Sequence, residues 1–323
     1  MEEADQKLML VSICIPCYNA ENYLAETLKC LLSQSHKNLE IIIVDDHSKD
    51  ESVKIIQEFA KEDERISFEM AQHKGAAAAR NQAYKQSNGN YIVFFDADDW
   101  VPENFVETQL QPLQSDQEIV VSTWGRFYHN DLNTITIDDS QVKTDLSFEQ
   151  WVLHYWINIS HMTCPGRVLI PRNLVEQSGL WDEDLNLNDD FVFYTRVFSN
   201  SSLIRYNPSS VFYYRSGING LSSKKGNLAY QSLYNSLVRS ITSAQSKLKI
   251  SKELNKCYAN LLQNFIYEAY PYEPELIKQA EQLINAFGGS NLKFPAGGKT
   301  KLINSLLGWK LVKKIKLKLL DQK

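Results

Sequence analysis

Tyr91-Ile-Val-Phe-Phe-Asp-Ala-Asp-Asp99 runs five apolar residues directly into three carboxylates. Five bulky apolar residues without alternation predict a strand buried on both faces, as in a parallel sheet covered by helices. The same design recurs upstream. Leu8 to Pro16 reads as an apolar strand stopped by Pro16, Leu39-Glu-Ile-Ile-Ile-Val44 as a second strand closed by Asp45-Asp46, and Ile66 to Met70 as a third. Helices are expected between them. One runs from Ala20 to Ser35, capped by Asn19, with Leu24, Leu28, Leu31 and Leu32 on one face. A second is capped by Asp50 and turns Val53, Ile56 and Phe59 inward; a third, Ala76 to Gln86, is opened by Gly75. This alternation over the first hundred residues predicts an open, twisted, mostly parallel α/β sheet with right-handed crossovers. In such sheets ligands sit beyond the carboxyl ends of the strands. Those ends are Pro16 to Asn19, Asp45-Asp46 and Asp96 to Asp99.

Beyond this unit the pattern loosens. Gln114 to Ser210 is rich in aromatics and less regular, with helices expected near Leu146–Tyr155 and Asp190–Ser199. Helical periodicity returns at Asn227–Lys247, Lys252–Tyr270 and Glu273–Phe287. The expected organisation is an α/β domain over 1–220 and a helical extension over 221–323.

The 323 residues, 43% hydrophobic and 23% charged, suffice for a large buried core. The net charge of −5 hides an asymmetry: residues 299–323 carry eight Lys and one acid, Asp321, on an otherwise acidic body. An acidic body repels phosphates, so no nucleic acid partner is expected. Five scattered Cys argue against a disulfide framework and for a reducing compartment. Cys14-Ile-Pro-Cys17 has the spacing of a redox or zinc motif, but Cys14 falls inside a strand and no second pair completes a zinc site. Met1 to Lys7 lacks the apolar core of a signal peptide, and no stretch approaches the length of a membrane span.

Each acidic cluster has a plain reading and a chemical one. Asp96, Asp98 and Asp99 could cap a turn; three carboxylates at the end of an apolar strand also repel one another, which a divalent cation such as Mn²⁺ or Mg²⁺ offsets. Asp45-Asp46 could form an Asx turn or accept a hydrogen bond from a nucleotide base or ribose. Arg80 could pair with a phosphate or with one of these clusters.

Taken together, Val11-Ser-Ile-Cys-Ile-Pro-Cys-Tyr-Asn19, Ile43-Val-Asp-Asp-His-Ser48, Gly75 with Ala79-Arg80-Asn81, and Phe94-Phe-Asp-Ala-Asp-Asp-Trp100 resemble the four ordered signatures of family 2 glycosyltransferases. Gly179-Leu-Trp-Asp-Glu183, followed by Asp189-Asp190 and Arg196, resembles a later segment of that family. The resemblance implies the GT-A fold, a nucleotide-diphosphate sugar donor (a UDP-sugar), a divalent metal, Mn²⁺ or Mg²⁺, and inversion at the anomeric carbon. By position it places Pro16, Tyr18, Asn19, Asp45, Asp46, Arg80, Asp96 and Ala97 around the nucleotide sugar. It places Asp98, Asp96 and Asp99 at the metal, and Asp190 or Asp189 as the catalytic base. It also implies a saccharide or glycolipid acceptor in the synthesis of cell-surface polysaccharide or lipopolysaccharide. Two departures stand out: Asp189 replaces the usual Glu of a Glu-Asp pair, and Ser216-Gly217 stands where members often carry a His. A nucleotidyltransferase of similar fold is the enzymatic rival, but the chain lacks its early basic Gly-rich loop. The other rival is a non-catalytic nucleotide-sugar-binding protein.

Residues 299–320 read as a basic amphipathic helix, with Ile303, Leu307, Leu311, Ile315 and Leu319 in one row, Lys310, Lys314 and Lys318 beside it, and Trp309 suited to a lipid interface. The plain reading is a helix whose apolar stripe docks on the protein body with its Lys face in solvent; the expected location is cytoplasmic, peripheral on the inner face of an anionic membrane.

Overall fold

The structure, a computed structural model, describes residues 8–128, 130–160, 164–218, 226–297, 304 and 308–320, the side chains of 319 and 320 excepted. Ile303, Leu306 and Leu307 of the tail therefore lie outside the described residues. The chain divides into two compact units, Met1–Glu149 with Met162–Ser223, and Gln150–His161 with Lys224–Lys323.

The first unit opens with β1 (Val11–Cys17), α1 (Leu24–Leu32), β2 (Leu39–Asp45), α2 (Ser52–Glu62), β3 (Ile66–Met70), α3 (Ala76–Gln86) and β4 (Tyr91–Phe94). β1 pairs in parallel with β2 on one side and β4 on the other, and β2 pairs in parallel with β3. All four carboxyl ends thus emerge on one edge, and the strand order reverses about β1, which is where such sheets bind ligands. Val11, Ile13, Ile15, Ile41, Ile43 and Val93 form one buried layer against α1 and α2. α3 packs on β1 and β2, and its run of Ala77, Ala78, Ala79 and Ala83 lets it approach closely. Close approach also dictates Gly89: a Cβ there would stand 2.3 Å from the Ser12 hydroxyl and 2.7 Å from the Ser12 nitrogen.

After α4 (Phe105–Leu110) come β5 (Glu118–Tyr128), β6 (Asp131–Ile137), α5 (Phe148–Trp151), β7 (Val168–Pro171), α6 (Arg172–Ser178), α7 (Asp189–Asn200) and β8 (Leu203–Ser216). Among the described residues eight strands make one sheet, ordered β3-β2-β1-β4-β7-β5-β6, with β8 also on β5. β8 runs parallel to β5 along its whole length, while β7 and then β6 pair antiparallel with it. The expected sheet is there, but its second half is mixed. The stretch that looked irregular in sequence holds four strands, because their pairing is long-range and their polar residues, such as Ser122 and Thr123, are buried without alternation.

In the second unit a π-helical turn, Val152–Trp156, packs with α9 (Lys252–Ala269). Ser251 caps α9 by accepting a hydrogen bond from the Leu254 N–H at 3.1 Å, and Asn260 donates to the Ile157 carbonyl at 2.9 Å. α8 (Asn227–Lys247) and α10 (Pro274–Ala286) flank it. α11 (Trp309–Leu320) closes the unit. Trp309 does not face outward as its composition suggested. It packs among Tyr267, Tyr270 and Phe294, with ring centroids 4.9, 5.2 and 5.8 Å away. No helix among the described residues is long and apolar enough to cross a membrane.

Candidate functional site

Three loops meet at the carboxyl edge of β1, β2 and β4. The first two are stitched together. Asn19 adopts the left-handed conformation (φ 48°), donates its N–H to the Ser48 hydroxyl at 2.8 Å and accepts the Lys49 N–H at 2.8 Å. Asp45 is fully buried, and its two oxygens accept the Ser48 N–H at 2.8 Å and the Ser48 hydroxyl at 2.5 Å. Asp45 therefore builds the turn. Asp46 accepts the N–H of Gly75 at 2.9 Å through one oxygen, and its other oxygen is buried without a protein partner. Of the two, Asp46 is the carboxylate with acceptor capacity left for a ligand. Gly75 makes this tie possible: its φ of 111° is open to glycine at little cost. Tyr18, 60% exposed, and half-buried Pro16 border the same loop. The Cys14 and Cys17 thiols are buried core groups whose pKa burial pushes far up, so neither is reactive.

The third loop carries Asp96, Ala97, Asp98 and Asp99, and the three carboxylates diverge. Asp99 is wholly buried and turned toward β8, where one oxygen accepts the Arg215 N–H at 2.9 Å and the other has no partner. Through that bond it holds the loop to β8, while its second oxygen stays open, as that of Asp46 does. Burial, then the charges of Asp98 and Asp96, raise its pKa well above the carboxylate range. Asp96 accepts from Arg80 at 2.8 Å. No ion pair reaches Asp98 among the described residues. Burial, then repulsion from Asp96, pushes its pKa up to about 7. Ala97 between them is buried.

Arg80 joins this loop to the start of α7. Its guanidinium donates to Asp96 at 2.8 Å and to Asp189 at 3.1 Å, and lies 4.5 Å from the Trp181 ring centroid. Burial works against its charge, but the two carboxylates more than offset this and raise its pKa. Both forks of Arg80 are thus engaged by protein. Asp189 and Asp190 form the first turn of α7, where the helix dipole favours anions. Asp189 is committed to Arg80; Asp190 accepts the Phe191 N–H at 2.9 Å and has no ion pair among the described residues. Burial, then repulsion from Asp189, pushes the Asp190 pKa up to about 7, with Arg80 opposing. A carboxylate poised near neutrality suits general-base work.

Two supporting residues were not singled out in sequence. Asn81 donates to the Trp181 carbonyl at 2.9 Å and to Glu183 at 2.8 Å, and accepts the Trp181 N–H at 2.9 Å, which fixes the segment leading to α7. Arg215, with a fully buried side chain, donates to the Asp98 carbonyl at 2.5 Å, to Asn130 at 2.7 Å and to Glu26 at 2.7 Å. No periodicity marks either; Asn81 stands at the end of the Gly75–Asn81 signature without a role, and its partners show only in three dimensions. Arg215→Met removes these donors, but Glu26 and Asn130 stay open to solvent, so a loss of about 1–3 kcal/mol is expected. Urea denaturation with an unchanged m-value checks it.

Among the described residues no group of three or more His, Cys, Asp or Glu is arranged to hold a metal. Asp98 and Asp96 still fit one: they are a repelling carboxylate pair at a strand end, and Mg²⁺ or Mn²⁺ takes few protein ligands and fills its shell with phosphates and water.

A family model described as "Glycosyl transferase family 2" matches residues 12–177. The chain belongs to glycosyl transferase family 2. The relatives of this family 2 chain include the glycosyltransferase GlyA of Streptococcus pneumoniae serotype 4, 37% identical over 118 residues, 36% of this chain and 17% of GlyA. GlyG of the same organism is 37% identical over 126 residues, 38% of this chain and 42% of GlyG. The matches thus span less than half of either relative. Among solved structures, S. aureus TarS 1–349 in complex with UDP-GlcNAc superposes with a TM-score of 0.68 at 18% identity, covering 86% of this chain and 82% of that one. The GT-A fold expected for a family 2 member is the fold observed.

Proposed function

We propose that this family 2 protein transfers a sugar, with inversion, from a UDP-linked sugar to a hydroxyl of a saccharide or glycolipid used in cell-surface polysaccharide or lipopolysaccharide synthesis, at the inner face of a membrane. The observation that carries this reading is Arg80, which ties the Asp96–Asp98 loop to the Asp189–Asp190 turn and so brings a donor-side carboxylate pair beside a base of raised pKa.

Pro16, Tyr18 and Asn19 border the nucleotide base, and Asp46 accepts a hydrogen bond from it through its unpartnered oxygen. Asp96 and Ala97 lie along the ribose and diphosphate. Asp98, with Asp96, would hold a divalent cation, which supplies Lewis-acid neutralisation of the departing diphosphate. Asp190 takes the proton from the acceptor hydroxyl as that oxygen bonds to the anomeric carbon and the bond from that carbon to the diphosphate breaks. One displacement from the face opposite the leaving group inverts the centre, by the geometry that serves inverting hydrolases. Asp189 and Arg80 orient the turn that carries the base. Asp45 and Asp99 shape loops.

A panel of nucleotide sugars with and without Mn²⁺ tests the donor. A UDP-sugar at a hundredfold excess over Kd stabilises by about 2.7 kcal/mol, read as a rise in Tm. The proposal fails if no nucleotide sugar moves the Tm, or if donor turnover survives both chelator and Asp98→Ala. Ligand-induced stabilisation without turnover would mark a binding protein.

A further inference from the structure

The helical unit presents a one-sided basic ridge. In α11 the exposed positions are Lys310, Leu311, Lys314, Ile315 and Lys318. Leu311, Lys314, Ile315 and Lys318 follow the i, i+3, i+4, i+7 spacing of a single helix face. The opposite face is committed inward. Trp309 sits in the cluster of Tyr267, Tyr270 and Phe294, Val312 is 2% exposed, and Lys316 lies 5.6 Å from the Phe294 ring. Lys313 reaches toward the Glu268 carbonyl. The outer face leaves Leu311 41% and Ile315 39% exposed, two aliphatic side chains between lysines. The twelve residues of α11 contain five Lys and no acid.

We infer that the face Leu311–Lys314–Ile315–Lys318 is the membrane-contact surface, seated on an anionic lipid leaflet with Leu311 and Ile315 inserted among the acyl chains and Lys314 and Lys318 on the headgroup phosphates. This rests on the peripheral-membrane part of the proposed function and names the side chains that perform it. Charge complementarity selects the occupant: a lysine-flanked aliphatic pair suits an anionic, apolar-backed surface. A nucleic acid would engage the lysines and leave Leu311 and Ile315 idle. Trp309 is a latch to the helical unit, not a lipid anchor, so the helix meets the bilayer as a fixed ridge.

The test uses the full chain and co-sedimentation with vesicles of phosphatidylcholine, alone or mixed with phosphatidylglycerol. Binding is expected to the mixed vesicles only, weakening as salt rises. Leu311→Ser with Ile315→Ser should lower partitioning about tenfold or more, and Lys314→Gln with Lys318→Gln by a similar factor. Leu311 and Ile315 are about two-fifths exposed and Lys314 Nζ lies 5.9 Å from the Tyr270 ring, so each variant's Tm is measured beside its binding, and partitioning is compared at a temperature where every variant is folded. Wild-type protein that ignores mixed vesicles, or an apolar double variant that binds them undiminished, overturns the inference. A short RNA duplex that displaces the protein from vesicles equally well in wild type and apolar variant overturns it too. Stabilisation by a UDP-sugar, measured without vesicles, reports on the transferase reading alone, so the two can fail separately.

Discussion

Asp190→Asn should lower kcat by about 10²–10⁴ while leaving donor binding intact, because the amide keeps the shape of the turn and loses the ability to take a proton. Asp189→Asn should cost less, since Asp189 spends its charge on Arg80. The pH profile separates the two. The proposed base role needs Asp190 ionised, so kcat in the wild type should rise with pH through about 7, the value to which burial and Asp189 push it. Removing the Asp189 charge relieves that repulsion and should shift the acid limb to lower pH. Stability runs the other way. A carboxyl whose folded pKa is raised holds a proton that the unfolded chain releases earlier. Its contribution is complete below the ordinary carboxylate range and disappears as pH rises through about 7. Asp190→Asn should therefore be inactive yet melt higher than the wild type in mild alkali. A variant with near-normal kcat at every pH would remove Asp190 from the base position.

Asp98→Asn should lower kcat/KM by about 10²–10³, the several kcal/mol that a Lewis acid supplies to a leaving diphosphate. Three measurements define the expectation. Mn²⁺ should raise the Tm of the wild type and leave that of Asp98→Asn unmoved. Without metal and near neutral pH, Asp98→Asn should be the more stable protein, because it removes a carboxylate that burial and Asp96 hold up at about 7. That advantage should vanish in acid, where the wild-type group is protonated and its raised pKa works in favour of the fold. An Asn variant that melts lower than the wild type in the absence of metal, and still responds to Mn²⁺, would remove Asp98 from the cation.

The first half of the fold was readable because it is local. Apolar runs such as Leu39–Val44, broken only by Glu40, and Tyr91–Phe95 announce strands, and the spacing of Leu24, Leu28 and Leu31 or of Val53, Ile56 and Phe59 marks helices between the opening strands. Gly75 predicted the start of α3 to the residue. β5 and β8 were not readable. Their residues pair in parallel across roughly eighty-five positions, as in Glu118 with Leu203, and no window of sequence contains both partners. The candidate site was legible as a set of carboxylates at strand ends, but not as a division of labour. Nothing in Asp45-Asp46 says which side chain closes the turn through Ser48 and which keeps an open oxygen. Nothing in Asp96 to Asp99 says that the last of the three turns away to a backbone N–H on β8. Arg215 was invisible for the same reason: its partners, Glu26, Asp98 and Asn130, come from three separate parts of the chain.

The parallel union of β5 with β8 also sets an order of events. Such long-range pairing forms late, after local strand–helix units have condensed. Asp189, Asp190 and Arg215 all belong to this final third of the first unit, whereas the turn around Asp46 is complete once the opening strands have met. A chain still emerging from the ribosome can thus close the turn around Asp46 before the segment that carries Asp189 and Asp190 has been placed beside it.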